Sequence, residues 1–169
     1  MLERIFFEKR NGGTIMTREG LYSASTIAKW FLYYNQKAMD EEDADLISNL
    51  KLQKLLYYAQ GCYLAIKGVP LFREKILAWE HGPVVKEVYQ EYSSNHSNGL
   101  VYDGTYDNSV KNDDEEILIE VYKIFGQYSA WGLRNKTLNE TPWKETNRND
   151  EIDISIIKEY FEENYISES

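Results

Sequence analysis

A chain of 169 residues with 43% hydrophobic and 14% aromatic residues has enough apolar material for one core that needs neither disulfide nor metal. Its lone cysteine excludes an internal disulfide and belongs to no CxxC or Cys/His ligand spacing, so nothing supports an oxidising compartment or a structural zinc, and the cytoplasm is the expected address. With 28 acidic against 19 basic residues, the formal charge of −9 repels phosphate backbones and speaks against autonomous nucleic-acid binding, and no apolar run reaches the ~18 residues of a membrane span.

Along the chain, the first stretch carries charges and Gly12-Gly13 without a sustained apolar period. Arg4, Glu8, Lys9 and Arg10 interrupt the continuous apolar segment that a secretory signal requires. Residues 1–20 are expected to be an arm outside the fold or an upstream extension, with Met16 as the start of translation, because two glycine codons just before it can hold a purine-rich ribosome-binding sequence. Residues 21–166 are expected to form the folded domain.

Ser23 or Ser25 can cap a helix whose Ala24, Ile27, Ala28, Phe31 and Leu32 fall on one face. Asp40, Glu41, Glu42, Asp43 and Asp45 then read as a solvated connection or as the first turn of a short helix, where negative charge is favourable. The strongest helical period is Leu52, Leu55, Leu56, Ala59, Tyr63 and Ile66, which stops at Gly68 before Pro70. Tyr57, Tyr58 and Leu64 widen its apolar surface, so this helix is expected at the centre, packed on more than one side. Ile76 to Trp79 reads as a short strand, and Pro83 as the first turn of the next helix, where a missing N–H has no partner to lose. Val85, Val88, Tyr89 and Tyr92 supply that helix's buried face. Asp103-Gly104, within Val101 to Tyr106, has the centre of a two-residue hairpin. Further helices are expected from Asp113 or Asp114 to Gly126, from Ser129 to Asn135, and from Asp153 or Ser155, the first burying Leu118, Val121, Tyr122 and Phe125 and the last using Ile157, Tyr160, Phe161 and Tyr165. The fold expected is mainly α, a single compact domain of five to six helices with at most a small β-hairpin or short strands.

Conventional catalytic chemistry finds little support. Of the two histidines, His96 lies in a Ser/Asn-rich loop and reads as a surface residue. His81, in Trp79-Glu80-His81-Gly82-Pro83, sits at a strand-to-helix junction, and Cys62, His81 and a carboxylate are the one nucleophile arrangement available. Cys62, however, lies inside the central helix, where a small buried hydrophobe is the commoner reading. Nucleophilic cysteines sit instead at electropositive, partly open helix starts. The phosphate-cradling glycine motifs and the HExxH pair are absent, so no cofactor and no metal is expected.

The stretch Leu50-Lys51-Leu52-Gln53-Lys54-Leu55-Leu56-Tyr57-Tyr58 resembles the signature helix of the Panacea antitoxin domain, a family that includes phage-associated GepA-like and SocA-like proteins. Pro70-Leu71-Phe72, Ala78-Trp79, Gly82-Pro83-Val84-Val85, Val88-Tyr89, Thr137 with Pro142-Trp143, and Tyr160-Phe161 are similar in the same order. The resemblance thus spans Ser23 to Phe161. In one departure, Leu138 stands where the family usually carries a His directly after the threonine matching Thr137. What the resemblance implies is a phage-associated or prophage antitoxin, not an enzyme, that neutralises a cognate toxin from the adjacent gene by direct contact. A phage-associated DNA-binding regulator and a small hydrolase using His81 are the competing readings.

Fourteen tyrosines and four tryptophans exceed what a core of this size needs and can supply interface anchors. Lys51, Lys54, Tyr58 and Gly61 fall three or four apart on a second face of the central helix. Lys51, Lys54 and Tyr58 are therefore the expected toxin contacts, with His81 in the corner that follows; the competing reading has the lysines covering the core edge or pairing with acidic neighbours. Trp79 and Trp143 read as scaffold. On this view Lys54→Glu weakens partner binding at a stability change of ~0.5 kcal/mol or less. Leu55→Ala on the buried stripe costs ~2–5 kcal/mol.

Overall fold

The structure, a computed structural model, describes residues 7–8, 21–95 and 98–167. Met16 and His96 lie outside the described residues. Helix α1 (Ala24–Glu42) starts at Ser23, whose hydroxyl accepts the Thr26 N–H at 3.1 Å, the bond expected of an N-cap. Its apolar stripe is buried together with Trp30. The acidic cluster opens no new helix: Asp40 to Glu42 form the last turn of α1, and Asp43 ends it in the left-handed region at φ 58°. Negative charge at a helix C-terminus opposes the macrodipole, and the exposure of these carboxylates lets water screen the conflict.

Strand β2 (Ile47–Ser48) leads directly into α2 (Asn49–Lys67), where Ser48 caps the start by accepting the Lys51 N–H and Gly68 caps the end. Residues 52–66 are buried without interruption, so α2 has no solvent face over four turns. A helix buried all round is one enclosed by neighbours, and α1, α4 (Asn112–Phe125), α5 (Ala130–Leu138) and α7 (Ile154–Asn164) enclose it. Gly61 permits a close approach, because a Cβ there would run into the Phe161 ring of α7.

Buried polar side chains must find partners, and those of α2 find them in the segment that follows it. Gln60 donates to the Phe72 carbonyl at 2.8 Å and accepts the Leu71 N–H at 2.7 Å; Gln53 accepts the Val85 N–H at 2.9 Å. The central helix thereby pins both ends of a stretch that contains the antiparallel hairpin of β3 (Leu77–Trp79) and β4 (Gly82–Val84), joined by Glu80-His81.

Two expectations are corrected here. Pro83 lies within β4, opposite Ala78, and the next helix, α3 (Lys86–Glu91), begins only after it. Ala78 spends both its backbone groups on the far side, bonding the 149–150 segment at 2.9 and 2.8 Å, so Pro83 is not asked for the N–H it lacks. The Asp103-Gly104 hairpin also does not form. Strand β5 (Gly99–Leu100) pairs antiparallel with β2, and Asp103 instead accepts the N–H and hydroxyl of Thr105 at 3.0 and 2.6 Å, a side-chain turn that replaces the ladder.

Helix α4 starts at Asn112 without a side-chain cap, whereas two further helices start where expected: Ser129 accepts the Gly132 N–H at 2.9 Å to start α5, and Asp153 accepts the Ser155 N–H at 2.8 Å to start α7. One turn, α6 (Thr141–Lys144), lies between them, and β6 (Ile166–Ser167) pairs parallel with β1 (Phe7–Glu8). Among the described residues there are seven α-helices, six if the single turn α6 is set aside, around one core with only two- and three-residue strands. The domain is mainly helical and single, as expected. No helix among the described residues is long and apolar enough to cross a membrane.

Candidate functional site

The first turns of α2, the β3–β4 hairpin, α3 and the start of α5 enclose a pocket of about 580 Å³. Its polar floor belongs to α2. Asn49 donates to the Tyr89 carbonyl at 3.1 Å and accepts from Gln53 at 2.9 Å, while Gln53 also holds the Val85 N–H. These hydrogen bonds position α3 and the end of the hairpin. Lys54 differs. Its side chain is fully buried, its ammonium makes one hydrogen bond, to the Pro83 carbonyl at 3.0 Å, and it forms no ion pair among the described residues. Burial, and secondarily the Arg134 guanidinium, depress its pKa to about 7.

The walls are apolar. Trp79 and Tyr89 meet edge to face with centroids 5.2 Å apart, and Val84 closes the space behind them. Glu80, His81 and Trp131 stand at the mouth. Trp131 is 56% exposed, with the Arg134 guanidinium 4.2 Å above its ring, and Arg134 donates through Nε to His81 Nδ1 at 3.3 Å. The hairpin can lie this close to Lys54 because residue 82 is glycine: its φ is +105°, and an added Cβ would come within 2.9 Å of Lys54 Cε and 2.8 Å of Thr137 Oγ1.

Of the four residues expected to form a contact face, the structure brings Lys54 and His81 together in this pocket and places the other two elsewhere. Lys51 is half-buried and donates to the Gly126 carbonyl at 2.6 Å, the C-cap position of α4, where a cation suits the helix dipole. Tyr58 is in the core, stacked on Phe125 at 3.9 Å. The expected amphiphilic surface is thus corrected: neighbouring helices cover the second face of α2 as well as the first. Both lysines bond backbone carbonyls, and neither forms an ion pair with an acidic side chain among the described residues. Trp131 and Arg134 were missed by the sequence reading, although their spacing of three on one short helix puts them side by side.

The Cys62–His81 arrangement does not assemble. Cys62 is fully buried, with its thiol pushed well above the ordinary value by that burial, whereas His81 is exposed at the hairpin turn. Leu138 is half-buried beside Thr137, which is buried against the hairpin. A second titratable cluster lies beside a smaller cavity of about 260 Å³. There the buried Glu140 accepts the Tyr165 hydroxyl, and burial raises its pKa to about 7. Its other oxygen, and the neighbouring Tyr57 and Tyr58 hydroxyls, have no partner of good geometry among the described residues.

Residues 52–144, more than half of the chain, match the family described as Antitoxin SocA-like, Panacea domain. A 49-residue stretch is 53% identical to the Antitoxin SocA of Caulobacter vibrioides (strain NA1000 / CB15N), covering 29% of this chain and 26% of that protein. The match thus spans about a quarter of that relative's length. No solved structure matches.

Proposed function

This chain belongs to the family of SocA-like antitoxins with a Panacea domain, and from that premise we propose that it neutralises a cognate toxin protein by direct, non-enzymatic contact. The observation that carries the reading is the extent of the family match, which takes in all of the pocket lining except Asn49, Leu50 and Asn149. The chemistry of the pocket mouth is compatible with it. An exposed tryptophan under an arginine, with the partly exposed Tyr89 lining the same pocket, is the composition that dominates binding energy at protein interfaces. These side chains stand on short elements pinned to the buried central helix, so little ordering is left to do on binding. The toxin is expected to be the product of the adjacent gene, met in the cytoplasm.

Co-expression with that product tests the proposal, with growth and co-purification as readouts. Restored growth and a stable complex are expected. A toxic neighbour that is neither bound nor relieved overturns the reading. Trp131→Ala should weaken the complex by about thirtyfold, the scale of a hot-spot truncation, without altering the fold, since the side chain is largely in solvent. Circular dichroism and thermal unfolding check the second half of that expectation.

A further inference from the structure

Lys54 is an amine at the bottom of a largely apolar pocket, in a chain with nine more acidic than basic side chains, and no carboxylate of the described residues pairs with it. Keeping an unpaired ammonium there is unfavourable, whereas replacing Lys54 by an apolar residue would remove the problem. One N–H is used on Pro83 and two directions remain. Arg134, on α5, adds positive potential at the mouth. The pocket is therefore matched to an anion. A single buried amine suits a monoanion; the second charge of a phosphate would need a further cation, and the other polar side chains of the floor, Asn49 and Gln53, are neutral amides. The aromatic walls require the anion to carry an apolar stem, and about 580 Å³ is far more than one acidic side chain fills.

A polypeptide meets all of these requirements at one place, its C-terminal residue, where a carboxylate and a complete side chain share one α-carbon. The aromatic surface of Trp131, continuing outward from the pocket, can cover the residues that precede it. Building on the antitoxin reading, we propose that the Lys54 pocket anchors the C-terminal residue of the partner protein, its carboxylate on the Lys54 ammonium and an aromatic or large aliphatic side chain against Trp79 and Tyr89. Because Lys54 is partly neutral near pH 7 when the pocket is free, binding the carboxylate draws a proton from solution. The other titratable groups lining the pocket are Glu80 and His81 in the hairpin turn and Tyr89 on α3.

The test has two arms, both with the full chain. In the first, calorimetric titration compares N-acetyl-phenylalanine with its uncharged carboxamide in two buffers of different ionisation enthalpy. The acid should bind about tenfold or more tightly than the amide, the loss expected when a charge-assisted hydrogen bond is removed, with a buffer-dependent heat that reports proton uptake. Lys54→Met should abolish both the preference and the proton uptake. In the second arm the chain is unaltered and the toxin is extended at its C-terminus by a short Gly-Ser tail, which should weaken the complex about tenfold or more. A native toxin that binds but is indifferent to the tail overturns this inference and leaves the antitoxin reading standing. If the acid probe still prefers the pocket in that case, a free small carboxylate is its ligand and the partner's C-terminus is not. A native toxin that does not bind at all overturns both.

Discussion

Lys54 and Glu140 are buried ionisable groups of opposite sign, neither in a direct ion pair among the described residues, and both have pKa values displaced to about 7. Glu140 is raised, so the folded state holds its proton longer than the unfolded chain does. Between pH ~4.5 and ~7 the unfolded state therefore loses protons first, and stability falls as pH rises. Lys54 is depressed, so between pH ~7 and ~10.5 the unfolded state binds more protons and stability rises with pH. The two windows meet near neutrality. Denaturant midpoints measured from pH 5 to 9 should show a trough near pH 7, and Glu140→Gln should flatten the acidic limb, whose full height is about 3 kcal/mol. A midpoint that rises steadily from pH 5 to 7 would contradict the assignment of Glu140. The burial of Lys54 also reverses the expectation drawn from the sequence: Lys54→Glu buries a carboxylate and takes away the donor that the Pro83 carbonyl uses, and should destabilise about as severely as Leu55→Ala, by ~2–5 kcal/mol. Thermal unfolding of both variants decides between a buried and a surface lysine.

At the scale of elements, the fold depends on how closely others approach α2. At Gly61 the Phe161 ring of α7 occupies the space a Cβ would need. Alanine usually favours a helix over glycine by about 1 kcal/mol, yet here the ring must move within a packed core, so Gly61→Ala should destabilise by about 1–3 kcal/mol instead. Chemical denaturation gives the sign directly. The hairpin approaches on another side of α2 through Gly82, where positive φ and the contact with Lys54 act together. Both glycines lie within residues 52–144; Gly82 lets the hairpin approach α2 and α5 of the matched stretch, and Gly61 lets α7, beyond it, approach α2.

For the whole molecule, a helix with no solvent face should also be the last part to open. Backbone amides of α2 from Leu52 to Ile66 are expected to exchange with solvent only through global unfolding, while those of the exposed hairpin turn and of the 101–109 loop exchange through local opening. Hydrogen exchange followed by mass spectrometry separates the two classes. Protection in α2 no greater than in α5 would argue that the enclosure is looser than its burial implies.

The helices, their serine and aspartate caps and the central place of α2 were legible in the sequence, because apolar period and cap chemistry are local properties of neighbouring residues. The same locality explains the misreadings: Pro83 and Asp103-Gly104 carry turn chemistry that fits two outcomes, and partners far along the chain, the 149–150 segment and β2, chose between them. The candidate site was only half visible. Lys54 and His81 could be singled out, but a helix pattern records which residues share a face and says nothing of whether another helix covers it, so Tyr58 and Lys51 were placed on a surface that α4 covers. Whether a lysine is a solvated charge or a depressed amine at the floor of a pocket depends on the elements packed against it, and only the tertiary structure decided that.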